Sequence, residues 1–95
     1  MTDGQASIST DILARYAGDA AREVEGVRGL SGRRGVRIAV ADDGVRVELQ
    51  LAVDWGASIP ELGREVQARV HEYLVRMADV EPVVEIVVGE IGPLS

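Results

Sequence analysis

His71 is the only imidazole in the chain, and neither cysteine nor lysine accompanies it. A histidine works as a general base only with a partner at hydrogen-bond range, and it holds a metal only with further ligands. His71 follows Val70 at the edge of an apolar helical stripe, without an HExxH motif. It reads as a boundary residue of a helix. All ten basic residues are arginine, which removes a Walker lysine, a Schiff-base lysine and a lysine general base. The lack of cysteine removes thiol nucleophiles, disulfides and cysteine metal sites.

Glycines recur every third residue at Gly26, Gly29, Gly32 and Gly35. Gly29-Leu30-Ser31-Gly32 begins like a nucleophile elbow, but Arg33 stands where the second glycine is needed. Gly32-Arg33-Arg34-Gly35 matches the GxxG of a KH loop, which clamps a nucleic-acid backbone. Here it follows a helix and precedes a strand, outside a helix-loop-helix setting. A dinucleotide fingerprint fails because its glycines must follow a strand. A flexible connection accounts for the series; an anion-binding nest with Arg33 and Arg34 is the alternative. Asp42-Asp43 lacks the alternating acids of an EF-hand loop and reads as turn chemistry. No carboxylate pair stands out for acid–base work. No cofactor or metal is expected.

Three features suit contact instead. Trp55 follows a strand in Asp54-Trp55-Gly56, where it either caps the core edge or anchors a partner. Gly18 falls on the polar face of a helix, at a cost of about 1 kcal/mol against Ala. The last strand is apolar on both faces, with Val83, Val87 and Ile91 opposite Val84, Ile86 and Val88. It is therefore central in its sheet or covered by another subunit.

The elements that position these residues follow from periodicity. Ser9 caps a helix of about four turns with Ile8 and Leu13 as its staple; Ile12, Tyr16, Ala20 and Val24 form its stripe and Gly26 stops it. A short strand fits Val27–Leu30, and another fits Gln5–Ile8. Val36–Ala41 and Val45–Val53 alternate as strands. An Asp43-Gly44 turn pairs Val40 with Val47, Ile38 with Leu49 and Val36 with Leu51, apolar against apolar. Ser58-Ile59-Pro60-Glu61 is a capping box opening a second helix. Its stripe is Ile59, Leu62, Val66, Val70, Tyr73, Leu74 and Met77, with Glu65–Arg69 and Glu72–Arg76 as i,i+4 pairs on the wet side. Val83–Val88 closes the order.

Two one-sided helices and a one-sided sheet bury their stripes by stacking. The expected fold is α+β: a two-layer sandwich with two amphipathic helices packed on one face of a small, mostly antiparallel sheet. Residues 1–95 make a single domain with short flexible ends near 1–4 and 92–95. The chain buries roughly 60–70% of its unfolded surface, enough for one core. That core is aliphatic, since the chain has no Phe, one Trp and two Tyr. Net charge is −6, which repels nucleic acid and anionic lipid. The opening residues lack the pattern of a secretory signal, and no apolar run reaches the roughly 20 residues of a membrane span. A cytoplasmic protein without direct membrane insertion is the expectation.

Glu23-Val24-Glu25-Gly26-Val27-Arg28-Gly29-Leu30 resembles the EV-x-GV-x-GL hallmark of the alkaline shock protein family of Gram-positive bacteria. Gly4, Ile8-Ser9, Trp55-Gly56, Ile59, Val66-Gln67, Val70 and the closing valine-rich strand match in order. The similarity covers nearly the whole chain. Ala78-Asp79 departs from it, standing where members commonly carry Thr-Gly, and the charged extensions of many members are missing. The resemblance implies a non-enzymatic cytosolic protein of the envelope stress response. It implies self-association and recruitment to the membrane by a small anchor protein, with no catalytic residues to carry over. The expected contact residues are Trp55, Gly26, Gly29, Arg33, Arg34, Val83, Val87 and Ile91. The rival reading is a KH-like nucleic-acid-binding module using the Gly32–Gly35 loop with Arg37, against which the acidic charge argues.

Overall fold

Ser9 caps the first helix as its spacing requires: its Oγ accepts from the Asp11 amide at 3.1 Å. The structure is a computed structural model describing residues 9–32 and 35–92. Helix α1 runs Thr10–Arg22 and ends a turn before Gly26. The Glu23 and Val24 amides donate to Ala20 and Ala21, tightening the last turn in the three-residue pattern. Gly26 is no helix stop; with φ +100° it turns the chain into strand β1 (Val27–Leu30). The strand expected at Gln5–Ile8 lies outside the described residues, as do residues 1–4 and 93–95. Gly92 is buried, and its amide donates to the Val53 carbonyl at 2.6 Å.

Strand β2 (Val36–Ala41) and strand β3 (Gly44–Val53) form the hairpin. Its register is Val40↔Val45, Ile38↔Val47 and Val36↔Leu49, two residues away from the pairing built on an Asp43-Gly44 turn. The turn is made by Asp42-Asp43 instead. Either mirror-image turn at Asp43-Gly44 needs positive φ at its first central residue, and Asp43 does not have it; Gly44 does, at +141°. Because the slip is even, every side chain keeps its face.

Helix α2 (Ile59–Ala78) starts at Ser58, whose side chain makes no cap hydrogen bond, so the capping box is not closed. It ends on Asp79 in the left-handed region, φ 57° and ψ 41°. Strand β4 (Pro82–Ile91) then pairs with β3 in parallel, a pairing that needs a crossover connection such as α2 supplies. β3 is the centre of the sheet. β1 and β2 lie end to end on one side of it, antiparallel, and β4 lies on the other. Among the described residues β4 is thus an edge strand, not a central one.

Both helices cover the same face of the sheet. Leu13, Ala17 and Ala21 of α1 meet Val47, Leu49, Leu51 and Val53 of β3 and Leu62, Val66, Val70 and Leu74 of α2 in one core. Each fully buried Val or Leu contributes about 1.5–3 kcal/mol. Tyr16 and Tyr73 close the helix pair edge to face, 5.7 Å between centroids. Ile12, Ile59 and Met77, counted into the stripes from spacing, are exposed. Arg69 reaches Glu23, the residue capping the end of α1, at 3.2 Å and so ties the helices together, in place of the intrahelical pair with Glu65 that spacing suggests. Gly18 is buried: a β-carbon there would stand 3.3 Å from Leu30 Cδ1 and 3.7 Å from Val36 Cγ2. That close approach accounts for the glycine.

Candidate functional site

The face of the sheet away from the helices carries the other half of the alternation. Arg46, Glu48 and Gln50 of β3 point there beside Val83, Glu85 and Val87 of β4. Arg46 meets Glu85 at 2.7 Å and Arg37 approaches Glu48 at 3.9 Å, ion pairs across strands. Exposed pairs like these are worth about 0–1 kcal/mol, so they fix strand order more than they stabilise the fold. Val83 is 56% exposed and Val87 40% exposed, flanking Glu85 on the outermost strand. Beyond them β4 has no strand neighbour among the described residues. On the helix side of the same strand Val84, Ile86 and Val88 are only half-buried. Gln67 of α2 reaches down from above, and its Nε2 donates to the Val84 carbonyl at 3.0 Å.

Ile91 does not share the face of Val83 and Val87. An extra residue at Gly89 shifts the ladder, so Glu90 pairs with Ala52 and Ile91 with Val53. The bulge moves Ile91 to the helix side, an offset invisible to period-two counting. A side chain at residue 89 would run into Ser31, whose buried hydroxyl has no hydrogen-bond partner among the described residues.

At the far end of β3, Val53 is flanked by Val27 and Ile91. The chain then turns through Asp54-Trp55-Gly56 toward α2, and the Asp54 amide donates to Gly26 at 2.9 Å. These segments frame an open cleft of about 450 Å³ in which Gly26 and Trp55 come together. Trp55 is 60% exposed, so it does not cap the core. Glu25, Asp54, Glu61 and Glu65 also line the cleft. Of these, only Asp54 has a cation nearby among the described residues: Arg28, at 3.9 Å. Sequence reading missed this collection of acids, because it draws on three separate segments. Only Glu61 and Glu65, one helical turn apart, carried a signal.

Gly29 sits at the irregularity of β1, opposite Ala52 and beside a smaller hollow lined by Arg28, Glu90 and Gly92. Gly32 has φ +76°, and a β-carbon there would meet the Gln50 side chain. Gly32 and Gly35 stand between two strands, β1 and β2, whereas a KH loop joins helices. Arg33 and Arg34 lie outside the described residues. His71 Nε2 is 3.7 Å from Glu81 Oε1, with both side chains open to solvent. Among the described residues no cluster of three or more His, Asp or Glu is arranged to hold a metal ion, and no helix is long and apolar enough to cross a membrane.

Among solved structures, a MamM-CTD variant and the copper form of another MamM CTD variant each resemble this chain with TM-score 0.63. Each match covers 90% of this chain and 100% of the other, at 15% identity, which is a likeness of fold alone. The Bacillus subtilis protein YqhY, described as uncharacterized, is 29% identical over 78% of this chain. The chain spans 66% of the length of that relative. A family model matches residues 1–92, nearly end to end, and the chain belongs to the family it describes: the alkaline shock protein 23 family, cell envelope-related in function.

Proposed function

We propose that the protein is a non-catalytic docking module of the envelope stress response, acting in the cytoplasm by contact with other proteins. The observation that carries this reading is the unfinished side of the sheet. β4 ends the sheet with Val83 and Val87 exposed and no strand beyond it among the described residues. An edge strand offers a row of backbone donors and acceptors, and strand addition is a recurrent mode of protein recognition. Trp55, exposed beside the acidic cleft, is a second contact point of the kind that anchors interfaces. Contacts of both kinds support self-association and recruitment by a small membrane-anchored partner. A net charge of −6 disfavours direct binding to anionic lipid or nucleic acid.

Flotation of the protein with membranes from its own host tests the reading. The chain floats with untreated membranes, loses this after the membranes are shaved with trypsin, and loses it in a Trp55→Ala, Val87→Asp double variant. Flotation with protein-free vesicles, or full flotation by the double variant, contradicts it.

A further inference from the structure

We propose that β4 pairs with β4 of a second copy of this chain, antiparallel and two-fold symmetric about Ile86. The proposal rests on the docking reading and names its partner and register.

Edge strands are ordinarily blunted by proline, bulges or charges. In β4 the blunting devices stand at the ends: Pro82, which has no N–H, and the bulge at Gly89. Between them Val83 to Val88 runs straight, with Glu85 as its one charge, already held by Arg46 at 2.7 Å. The side-chain guard seen on this stretch is Gln67, on the Val84 carbonyl.

Symmetry and face matching leave few registers. In a two-fold antiparallel pair the paired residue numbers have a constant sum. That sum must be even, or the helix-side row would meet the outer row. Centring on Glu85 sets two glutamates directly opposite, which is unfavourable. Centring on Val84 brings Pro82 into the ladder, where it cannot donate. Centring on Val87 carries the Gly89 bulge into the pairing. Centring on Ile86 sets Val84 opposite Val88, Ile86 opposite itself and Glu85 opposite Val87. The helix-side row, half-buried in the single chain, then continues into its copy, and no like charges stand directly opposite; the two Glu85 are only diagonal neighbours, each already held by Arg46. A strand that reads compatibly with its own reverse argues for a second copy over an unrelated partner.

The contact is small. Pairing along one short strand falls below the ~1,000 Å² of a lasting interface, so association is weak and concentration-dependent. Each chain carries net charge −6, so added salt strengthens association by screening repulsion between copies.

The chain has no cysteine, so any introduced one is the sole thiol. A disulfide needs Cα atoms within about 7 Å and side chains that point together, which in this register Ile86 with its copy and Val84 with Val88 satisfy and Val84 or Val88 with its own copy does not. Under mild oxidation, Ile86→Cys alone shifts from monomer to dimer mass on a non-reducing gel. Val84→Cys and Val88→Cys each stay monomeric alone, but an equimolar mixture crosslinks. Ile86→Cys that fails to crosslink while the protein sediments as a dimer overturns the β4 pairing and leaves self-association standing. Sedimentation as a monomer at every concentration and salt overturns the pairing too, while the flotation result stands or falls separately.

Discussion

The side-chain amide of Gln67 on α2 donates to the backbone carbonyl of Val84 on β4 at 3.0 Å, across the open edge of the sheet. A helix residue thereby serves an acceptor on the strand that has no neighbour beyond it among the described residues. Such a bond is worth about 0.5–1.5 kcal/mol net. Gln67→Ala therefore lowers stability by no more than that in urea denaturation at low concentration. In sedimentation velocity it strengthens self-association, because an incoming strand no longer competes with the amide. Unchanged or weaker association would show that the Val84 edge is not where copies meet.

The two glycines inside the helices behave oppositely. Gly63 of α2 has open space where a β-carbon would go, so Gly63→Ala raises stability by about 1 kcal/mol through helix propensity. Gly18 of α1 is pressed against Leu30 and Val36, so Gly18→Leu lowers stability by about 1–3 kcal/mol through overpacking. Urea midpoints of the two variants on opposite sides of wild type check the packing of α1 onto β1 and β2.

Asp79 holds the left-handed position that ends α2, with its amide on Val75. Glycine adopts that conformation without the steric penalty an L side chain meets. Asp79→Gly is expected to raise stability by about 0.5–1 kcal/mol in the same assay. Here aspartate keeps the helix end in place at some cost.

Exposure of Trp55 makes a further prediction. Trp55→Ala changes stability by less than about 0.5 kcal/mol, as for surface substitutions away from special features. Gly26→Val, by contrast, combines φ +100° with a β-carbon 3.2 Å from Leu62 Cδ1, and it costs about 1–3 kcal/mol or more. Thermal denaturation separates the two. A Trp55→Ala variant that unfolds early would make the tryptophan a core cap after all.

Much of this fold is legible in local pattern. Ser9 at the start of α1, the alternation of Val45 to Val53 and the four-residue spacing from Leu62 to Leu74 each imply the observed element and face. What pattern does not carry is the partner of each element. An even register slip in the hairpin leaves all faces unchanged, so alternation alone does not distinguish Val40↔Val45 from Val40↔Val47. The apolar character of β4 fits a central strand or one covered by another subunit, and among the described residues it is not central. The Gly89 bulge moves Ile91 away from Val87 although their spacing looks regular. The acids around Trp55 converge only after the α1–β1 link, the β3–α2 link and α2 are placed. Val83 and Val87 are legible because they stay on the straight part of one strand.

Amide hydrogen exchange along β4, measured in dilute and in concentrated protein, tests most directly whether an unfinished sheet edge is the working surface. Amides between Val83 and Val88 that face away from β3 should exchange fast in dilute protein and become protected as concentration rises, with the helices unchanged. Equal protection of those amides at both concentrations, in protein that associates, would place the working surface elsewhere.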